Sequence, residues 1–159
     1  MALKYFESGK IQTSAFYKNG LETGEWKEFF EFNKPSLIGN FEAGKESGLW
    51  TSFNKGGKII SQKKYIAGLL QGESRFYHEN GRLKQTETRE ANKIMNLGVY
   101  LDEKGNEKPK GTLKNGNGTR LMYYHPEGSK FAEYEYKNGL LNGVSTIYHP
   151  NGKLQLELN

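Results

Sequence analysis

A 24-residue spacing of glycines constrains this chain more than any other feature of its sequence. The first glycine of each repeat stands at Gly20, Gly44, Gly68, Gly116 and Gly139, with Asn92 in the skipped place. Two further glycine series run in step with the first, and they include Gly24 and Gly57. A fixed period of this length predicts a repeat architecture, in which each unit buries its surface against its neighbours.

Each repeat holds two short segments that are bounded by glycine turns. Asn-Gly pairs favour the tight primed turns that join antiparallel strands, and they stand at Asn19-Gly20, Asn80-Gly81, Asn138-Gly139 and Asn151-Gly152. The chain offers no stretch of helical length that lacks glycine and proline and also shows the apolar period of a helix. We therefore expect an all-β fold, an elongated single-layer antiparallel meander of about six consecutive β-hairpins.

We interpret the chain as one domain, residues 1–159, that consists of a half unit and six hairpin units. The predicted bounds are 1–15 for the half unit and then 16–39, 40–63, 64–87, 88–111, 112–134 and 135–159. The unit at 88–111 is degenerate, because Asn92 and Asn96 replace its turn glycines.

An aromatic residue recurs shortly before the third glycine of each unit, at Phe29, Phe53, Tyr77, Tyr100, Tyr124 and Tyr148. Side chains alternate between the two faces of a strand, so we expect these six to form one column. The opposite face would carry the pairs Trp26/Glu28, Trp50/Ser52, Ser74/Phe76, Leu97/Val99, Leu121/Tyr123 and Ser145/Ile147.

Composition and motifs offer no support for an enzyme, a cofactor or a metal site. The chain has no cysteine, which excludes disulfides and thiolate ligands. Its histidines, His78, His125 and His149, occupy one place in three repeats, so the ladder keeps them apart and no metal site is predicted. Neither a poised carboxylate pair nor a Gly-x-Ser-x-Gly or phosphate-loop motif is evident.

The net charge of +5 raises the question of a nucleic acid or membrane partner. Lysines mostly alternate with glutamates, so we do not expect nucleic acid to bind. A membrane surface is not expected either, because no amphipathic helix or basic run is present. The N-terminus lacks the apolar run of a signal peptide, and no segment approaches the roughly 20 apolar residues of a spanning helix, so we expect a cytoplasmic location.

Two stretches of the sequence, at 17–26 and 148–154, resemble MORN-repeat variants, in particular those of the bacterial YwqK-type antitoxin family. They read YKNGLETGEW and YHPNGKL, and GTLKNGNGT at 111–119 resembles a shortened unit of the same kind. The resemblance covers nearly the whole chain. It implies a sheet of consecutive hairpins and a non-enzymatic antitoxin or immunity protein that neutralises a toxin by direct binding. The alternative is a MORN-type structural scaffold or a membrane-associated adaptor.

Trp26 and Trp50 recur at one repeat position, where they would either pack neighbouring hairpins together or form an apolar patch for a protein partner. We predict that partner binding involves Trp26, Trp50, Phe76 and Tyr123. The degenerate stretch 92–110 is a second candidate, because it has lost its turn glycines and should bulge from the array. The strand Leu154–Leu158 lacks the proline or lysine that blocks edge pairing, so we also expect an edge-to-edge homodimer or a strand added by a partner.

Overall fold

A computed structural model describes residues 1–124 and 128–158, and the described part of the chain is all-β, as predicted. More than half of its residues lie in strands. The strands are β1 (Ala2–Tyr5), β2 (Ile11–Ala15), β3 (Tyr17–Lys18), β4 (Leu21–Glu22), β5 (Gly24–Phe29), β6 (Pro35–Glu42), β7 (Lys45–Phe53), β8 (Ile59–Ile66), β9 (Leu69–Leu70), β10 (Gly72–Tyr77), β11 (Leu83–Glu90), β12 (Lys93–Tyr100), β13 (Gly118–Tyr123), β14 (Lys130–Lys137), β15 (Leu140–Tyr148) and β16 (Leu154–Leu158).

The strands pair in chain order, which confirms the predicted meander of consecutive hairpins. A ten-stranded antiparallel sheet runs β1-β2-β5-β6-β7-β8-β10-β11-β12, with β9 paired to β8. Strands β13 to β16 form a second antiparallel sheet, and β3 pairs with β4. The accessible surface is 9666 Å² for a mass of 18.1 kDa. A compact monomer of that mass would expose about 8,100 Å², and an open array of hairpins accounts for the excess.

Two kinds of turn alternate along the array. Tight turns have two consecutive residues with positive φ, the signature of a type I′ turn. They stand at Asn19-Gly20, Ala43-Gly44, Ala67-Gly68, Ala91-Asn92, Asn115-Gly116 and Asn138-Gly139. The wider turns span five residues, as at 54–58, where the Asn54 N–H donates to the Lys58 carbonyl at 2.9 Å and the Gly57 N–H donates to the Asn54 carbonyl at 2.9 Å.

Two Asn-Gly pairs that we expected in primed turns lie in wide turns instead. Gly81 and Gly152 have positive φ, at 85° and 81°, but the asparagines before them do not. Each of these asparagines uses its side chain to hold the turn, since Asn80 Oδ1 accepts the Arg82 N–H at 2.9 Å and Asn151 Oδ1 accepts the Lys153 N–H at 3.1 Å. Asparagine therefore acts here through its side-chain acceptor, not through a left-handed backbone.

The predicted aromatic column is wrong at two of its six positions. Phe29, Phe53, Tyr77 and Tyr148 hold equivalent places, since each follows a register shift and directly precedes a wide turn. In the other two units this place belongs to Leu101 and Tyr123, because the turns open at Asp102 and Tyr124. In the first of these units the period itself explains the displacement, because Leu101, not Tyr100, stands 24 residues after Tyr77. Strand β12 bulges opposite Thr86, yet it exceeds its partner strand by two residues in all, as β7 does. In the second unit the turn that opens at Tyr124 closes at Ser129, one residue later than the other wide turns.

Hydrogen bonds between successive tight turns tie the repeats together at one edge of the array. The Gly44, Gly68 and Asn92 N–H groups donate to the carbonyls of Glu22, Glu46 and Leu70, respectively, at 2.9, 2.9 and 3.0 Å. Asn92 keeps this bond because asparagine tolerates the left-handed conformation, here with φ 72°. The degenerate unit therefore stays in register at its tight turn.

Residues 101–117 run irregularly between the two sheets but remain hydrogen bonded to both. The Lys108 N–H donates to the Tyr100 carbonyl at 2.8 Å, and the Leu121 N–H donates to the Lys110 carbonyl at 2.9 Å. Ile94, Leu97 and Leu113 form a small buried cluster at this junction, with Tyr136 packed against it. Of the stretch 92–110 that we expected to bulge from the array, residues 93–100 instead form strand β12, which stays paired with β11.

Candidate functional site

One face of the ten-stranded sheet holds its buried side chains, and we call it the inner face. Cross-strand pairs place two rows of residues on it. The first row is Trp26, Gly39, Trp50, Lys63, Ser74, Glu87 and Leu97, and the second is Glu28, Leu37, Ser52, Ser61, Phe76, Gln85 and Tyr100. Trp50, Glu87 and Leu97 are buried, whereas Leu49 and Arg75 on the opposite face are exposed. In this single-layer sheet, the fully buried side chains therefore lie on one face.

Four aromatic rings pack edge to face along the inner face. The ring centroids of Trp26 and Phe41 are 5.2 Å apart, those of Phe41 and Trp50 are 5.1 Å apart, and those of Trp50 and Tyr65 are 6.0 Å apart. The Trp50 ring lies over Gly39, where a Cβ atom would overlap it. Burial raises the pKa of the Tyr65 hydroxyl. This aromatic row takes the place of a conventional core in the first half of the chain.

A groove of about 630 Å³ opens beside Trp26, over strands β1, β2 and β5. Its lining includes the small residues Ala2 and Ala15 and the aromatic residues Trp26, Phe29 and Phe30. Its polar lining is Lys4, Gln12, Thr13, Glu28 and Glu31. The Trp26 Nε1 donates to Glu28 Oε1 at 3.1 Å, which fixes the half-buried indole at the groove. A recess lined by aromatic and polar residues suits a partner side chain that has an apolar part and a polar end.

A buried ion cluster joins the two sheets on the same face. The Glu87 side chain is fully buried, with its carboxylate 2.7 Å from Arg89 Nε and 3.2 Å from Arg120 Nη2. Arg120 also donates to Gln85 Oε1 at 3.3 Å. Arg120 lies on β13 and Glu87 on β11, so the chain must bend toward the inner face for them to meet. A buried carboxylate of this kind requires its partners, since removing one leaves an uncompensated charge.

The structure brings three of the four predicted site residues to one face. Trp26, Trp50 and Phe76 lie on the inner face, with Lys63 Nζ 5.7 Å from the centre of the Phe76 ring. Trp50 is only 8% exposed, so it shapes the surface rather than presenting its ring. Tyr123 is in a different position: its hydroxyl donates to the Pro109 carbonyl at 2.7 Å and its ring lies 5.2 Å from Tyr100.

The one-residue displacement also corrects two predicted position pairs. In β13, Arg120 and Met122 occupy the places that we assigned to Leu121 and Tyr123, because Met122 pairs with Ala132 directly before the register shift. In β12, Tyr100 takes the place that we assigned to Val99, which falls in the bulge. The sequence reasoning missed the Glu87 cluster. Its signal was Arg120, a charged residue at a repeat position that holds Trp26, Trp50 and Ser74 in other units.

The histidines do not converge in the described part of the chain. His78 and His149 each open a wide turn, and the Nε2 of His78 is 2.8 Å from the Leu101 carbonyl oxygen. His125 lies outside the described residues. Within residues 1–124 and 128–158, no three His, Asp or Glu side chains are grouped as metal ligands. Nor does the described chain contain a helix long and apolar enough to cross a bilayer.

Comparison with known families gives one match. Three segments, residues 2–19, 70–90 and 141–159, match the family described as MORN repeat variant. No curated protein sequence matches the chain significantly. Each matched segment contains one wide-turn hairpin: β1 with β2, β10 with β11, and β15 with β16. Three hairpins at the two ends and the middle of the array are therefore similar to MORN repeat variants.

Proposed function

We propose that this chain is a non-enzymatic protein-binding repeat domain whose partner docks on the inner face, around Trp26 and Phe76. The observation that carries this proposal is the groove of about 630 Å³ beside the half-buried Trp26 indole. MORN-type repeats generally act as scaffolds or binding modules, and three segments of the chain are similar to them. A rigid antiparallel array suits such a role, because it holds its side chains in fixed positions.

The inner-face residues have two roles: some hold the aromatic row in place, and others contact the partner. Trp50 is buried between Phe41 and Tyr65, so it holds the aromatic row in place. Trp26 and Phe76 are half-buried and keep ring surface available. Aromatic residues of this kind are frequent binding hot spots, and truncating one at an interface typically costs about 2 kcal/mol or more.

The partner that we propose is a toxin, which the chain neutralises by direct binding. Support comes from the resemblance of the repeats to those of the YwqK-type antitoxin family. The net charge of +5 argues against mimicry of nucleic acid, so occlusion of the toxin is the expected mechanism. The alternative function is that of a MORN-type structural scaffold or membrane-associated adaptor. The same fold would serve it, but its partner would not be a toxin.

Coexpression with the protein encoded by the adjacent gene tests this proposal. That protein alone should arrest growth, and the wild-type chain should restore it. Trp26→Asp should fail to restore growth, because it removes the indole that lines the groove and places a second carboxylate beside Glu28. Lys64→Ala is the matched control, since it also lowers the net charge by one but lies exposed on the opposite face. If the adjacent product is harmless, or if its toxicity persists with the wild-type chain, the antitoxin proposal is wrong.

A further inference from the structure

We propose that copies of this chain associate head to tail, with strand β16 of one copy pairing antiparallel with strand β1 of the next. This inference goes beyond the proposed function, because the partner is a second copy of the chain. Among the described residues, β1 pairs only with β2 and β16 pairs only with β15, so each strand has one edge without a strand partner. Such edges recruit further strands unless something blocks them.

The two edges are of complementary kinds. Within each sheet the second strand of a wide-turn hairpin pairs with the first strand that follows it, as β2 does with β5, β6 with β7, β8 with β10, β11 with β12 and β14 with β15. Strand β16 is a second strand, and β1 is a first strand. Pairing β16 with β1 of another copy therefore repeats a junction that the chain already makes internally.

The internal junctions also fix the register of the proposed contact. They pair Thr13 with Glu28, Leu37 with Ser52, Ser61 with Phe76, Gln85 with Tyr100 and Ala132 with Ile147. Within its own hairpin, Leu156 pairs with Ile147, as Thr13 pairs with Lys4. The same register places Leu156 of one copy opposite Lys4 of the next, and Leu158 opposite Ala2.

Side-chain volumes favour this register. Where the inner-face residue of a second strand is small, the facing residue of the next strand is large, as with Gly39 and Trp50. The reverse holds for Tyr134 and Ser145. Leu158 opposite Ala2 follows the second pattern. Leu158 is 53% exposed, and Ala2 lines the groove beside Trp26. Leu158 of one copy would therefore reach into the groove that the next copy leaves open.

This contact is heterologous, since a first-strand edge meets a second-strand edge, and it leaves one free edge of each kind after every addition. The product is an open chain of copies, not a closed dimer. Two strands of four or five residues bury less than the roughly 1,200 Å² of a standard interface. We therefore expect association to be weak, with monomers at about 10 µM and larger species at about 1 mM.

Sedimentation equilibrium of the whole chain at these two concentrations tests the proposal. Leu156→Lys places a positive charge opposite Lys4 of the next copy, so it should weaken association at least about tenfold. Adding Lys4→Glu to that variant should restore the dissociation constant to within about threefold of the wild-type value, because opposite charges then face each other. Both residues are exposed, so neither change should alter the fold, which circular dichroism checks.

Three results would overturn the proposal. The first is a wild-type chain that stays monomeric at about 1 mM. The second is a Leu156→Lys variant that associates as the wild type does. The third is failure of Lys4→Glu to rescue Leu156→Lys, which would instead indicate symmetric pairing of two β16 edges. Lys4→Glu alone is the control and should associate within about threefold of the wild type, because it faces an uncharged leucine.

Discussion

Replacing Gly39 by alanine should destabilise the protein through a single steric conflict with Trp50. Gly39 has an ordinary negative φ, so its backbone accepts alanine without strain. An added Cβ would overlap the six-membered part of the Trp50 indole, which is packed against Phe41 and Tyr65 and has little room to move. The inner-face packing therefore predicts a cost at a position where alanine is normally favourable.

The expected magnitude follows from two opposing effects. Overpacking of a buried site costs about 2 kcal/mol. Alanine also lowers the conformational entropy of the unfolded chain relative to glycine, which stabilises the folded state by about 0.5 kcal/mol. The net loss of about 1.5 kcal/mol should lower the Tm by about 3–6 °C for a chain of this length. Urea unfolding followed by circular dichroism should show the same difference in free energy.

A double-mutant cycle with Trp50→Val isolates the contact. Valine suits a strand and removes the indole atoms that the new Cβ would meet, so Gly39→Ala should cost nothing in that background. Gly56→Ala is the control, because Gly56 is exposed and the nearest atom to its added Cβ is the terminal side-chain atom Asn54 Oδ1, at 3.2 Å. Its effect should stay within about 0.5 kcal/mol. Equal costs of Gly39→Ala with and without the indole would refute the packing described here.

Three further perturbations test the junction and the turns. Arg120→Ala should cost about 3 kcal/mol in urea unfolding, because it removes one partner of the fully buried Glu87 carboxylate, and a cost below about 1 kcal/mol would show that the pair is not buried in solution. Gly81→Val should cost about 2 kcal/mol, since φ is 85° there, and an unchanged midpoint would contradict the turn assignment. Hydrogen bonds from the Asn106 side chain and from backbone N–H groups hold the pKa of the Asp102 carboxyl below its ordinary value of 3.8. The stability it contributes is therefore complete above that pH and lost as pH falls through the folded-state pKa. Asn106→Ala should raise this pKa toward 3.8 in an NMR titration, and no change would exclude the side-chain bond.

The glycine period predicted most of the fold, because the tight turns and the wide turns both need residues with positive φ. Gly20 and Gly81 illustrate the two turn types, and both have the left-handed backbone that the sequence required. The period could not distinguish the turn types after an asparagine, since Asn19 adopts positive φ whereas Asn80 accepts a hydrogen bond with its side chain.

Residue type alone placed the aromatic column wrongly in two units. Tyr100 and Tyr124 are aromatic, yet the turn places belong to Tyr123 and to Leu101, which stands 24 residues after Tyr77. A second signal was present, because Asp102 is a residue type that opens turns through its side chain, and its carboxylate does accept the Lys104 N–H at 2.9 Å. The sequence could not pair Arg120 with Glu87, since their contact depends on how the chain bends between the sheets.

Titration calorimetry of the chain with its protein partner tests whether the inner face around Trp26 is the binding surface. Trp26→Ala, shown by circular dichroism to be folded, should bind at least about thirtyfold more weakly, as expected of an interface hot spot of about 2 kcal/mol. Lys64→Ala on the opposite face should bind within about twofold of the wild type, as surface positions outside an interface do. Wild-type affinity in folded Trp26→Ala, with a large loss in Lys64→Ala, would contradict the claim and move the binding surface to the opposite face.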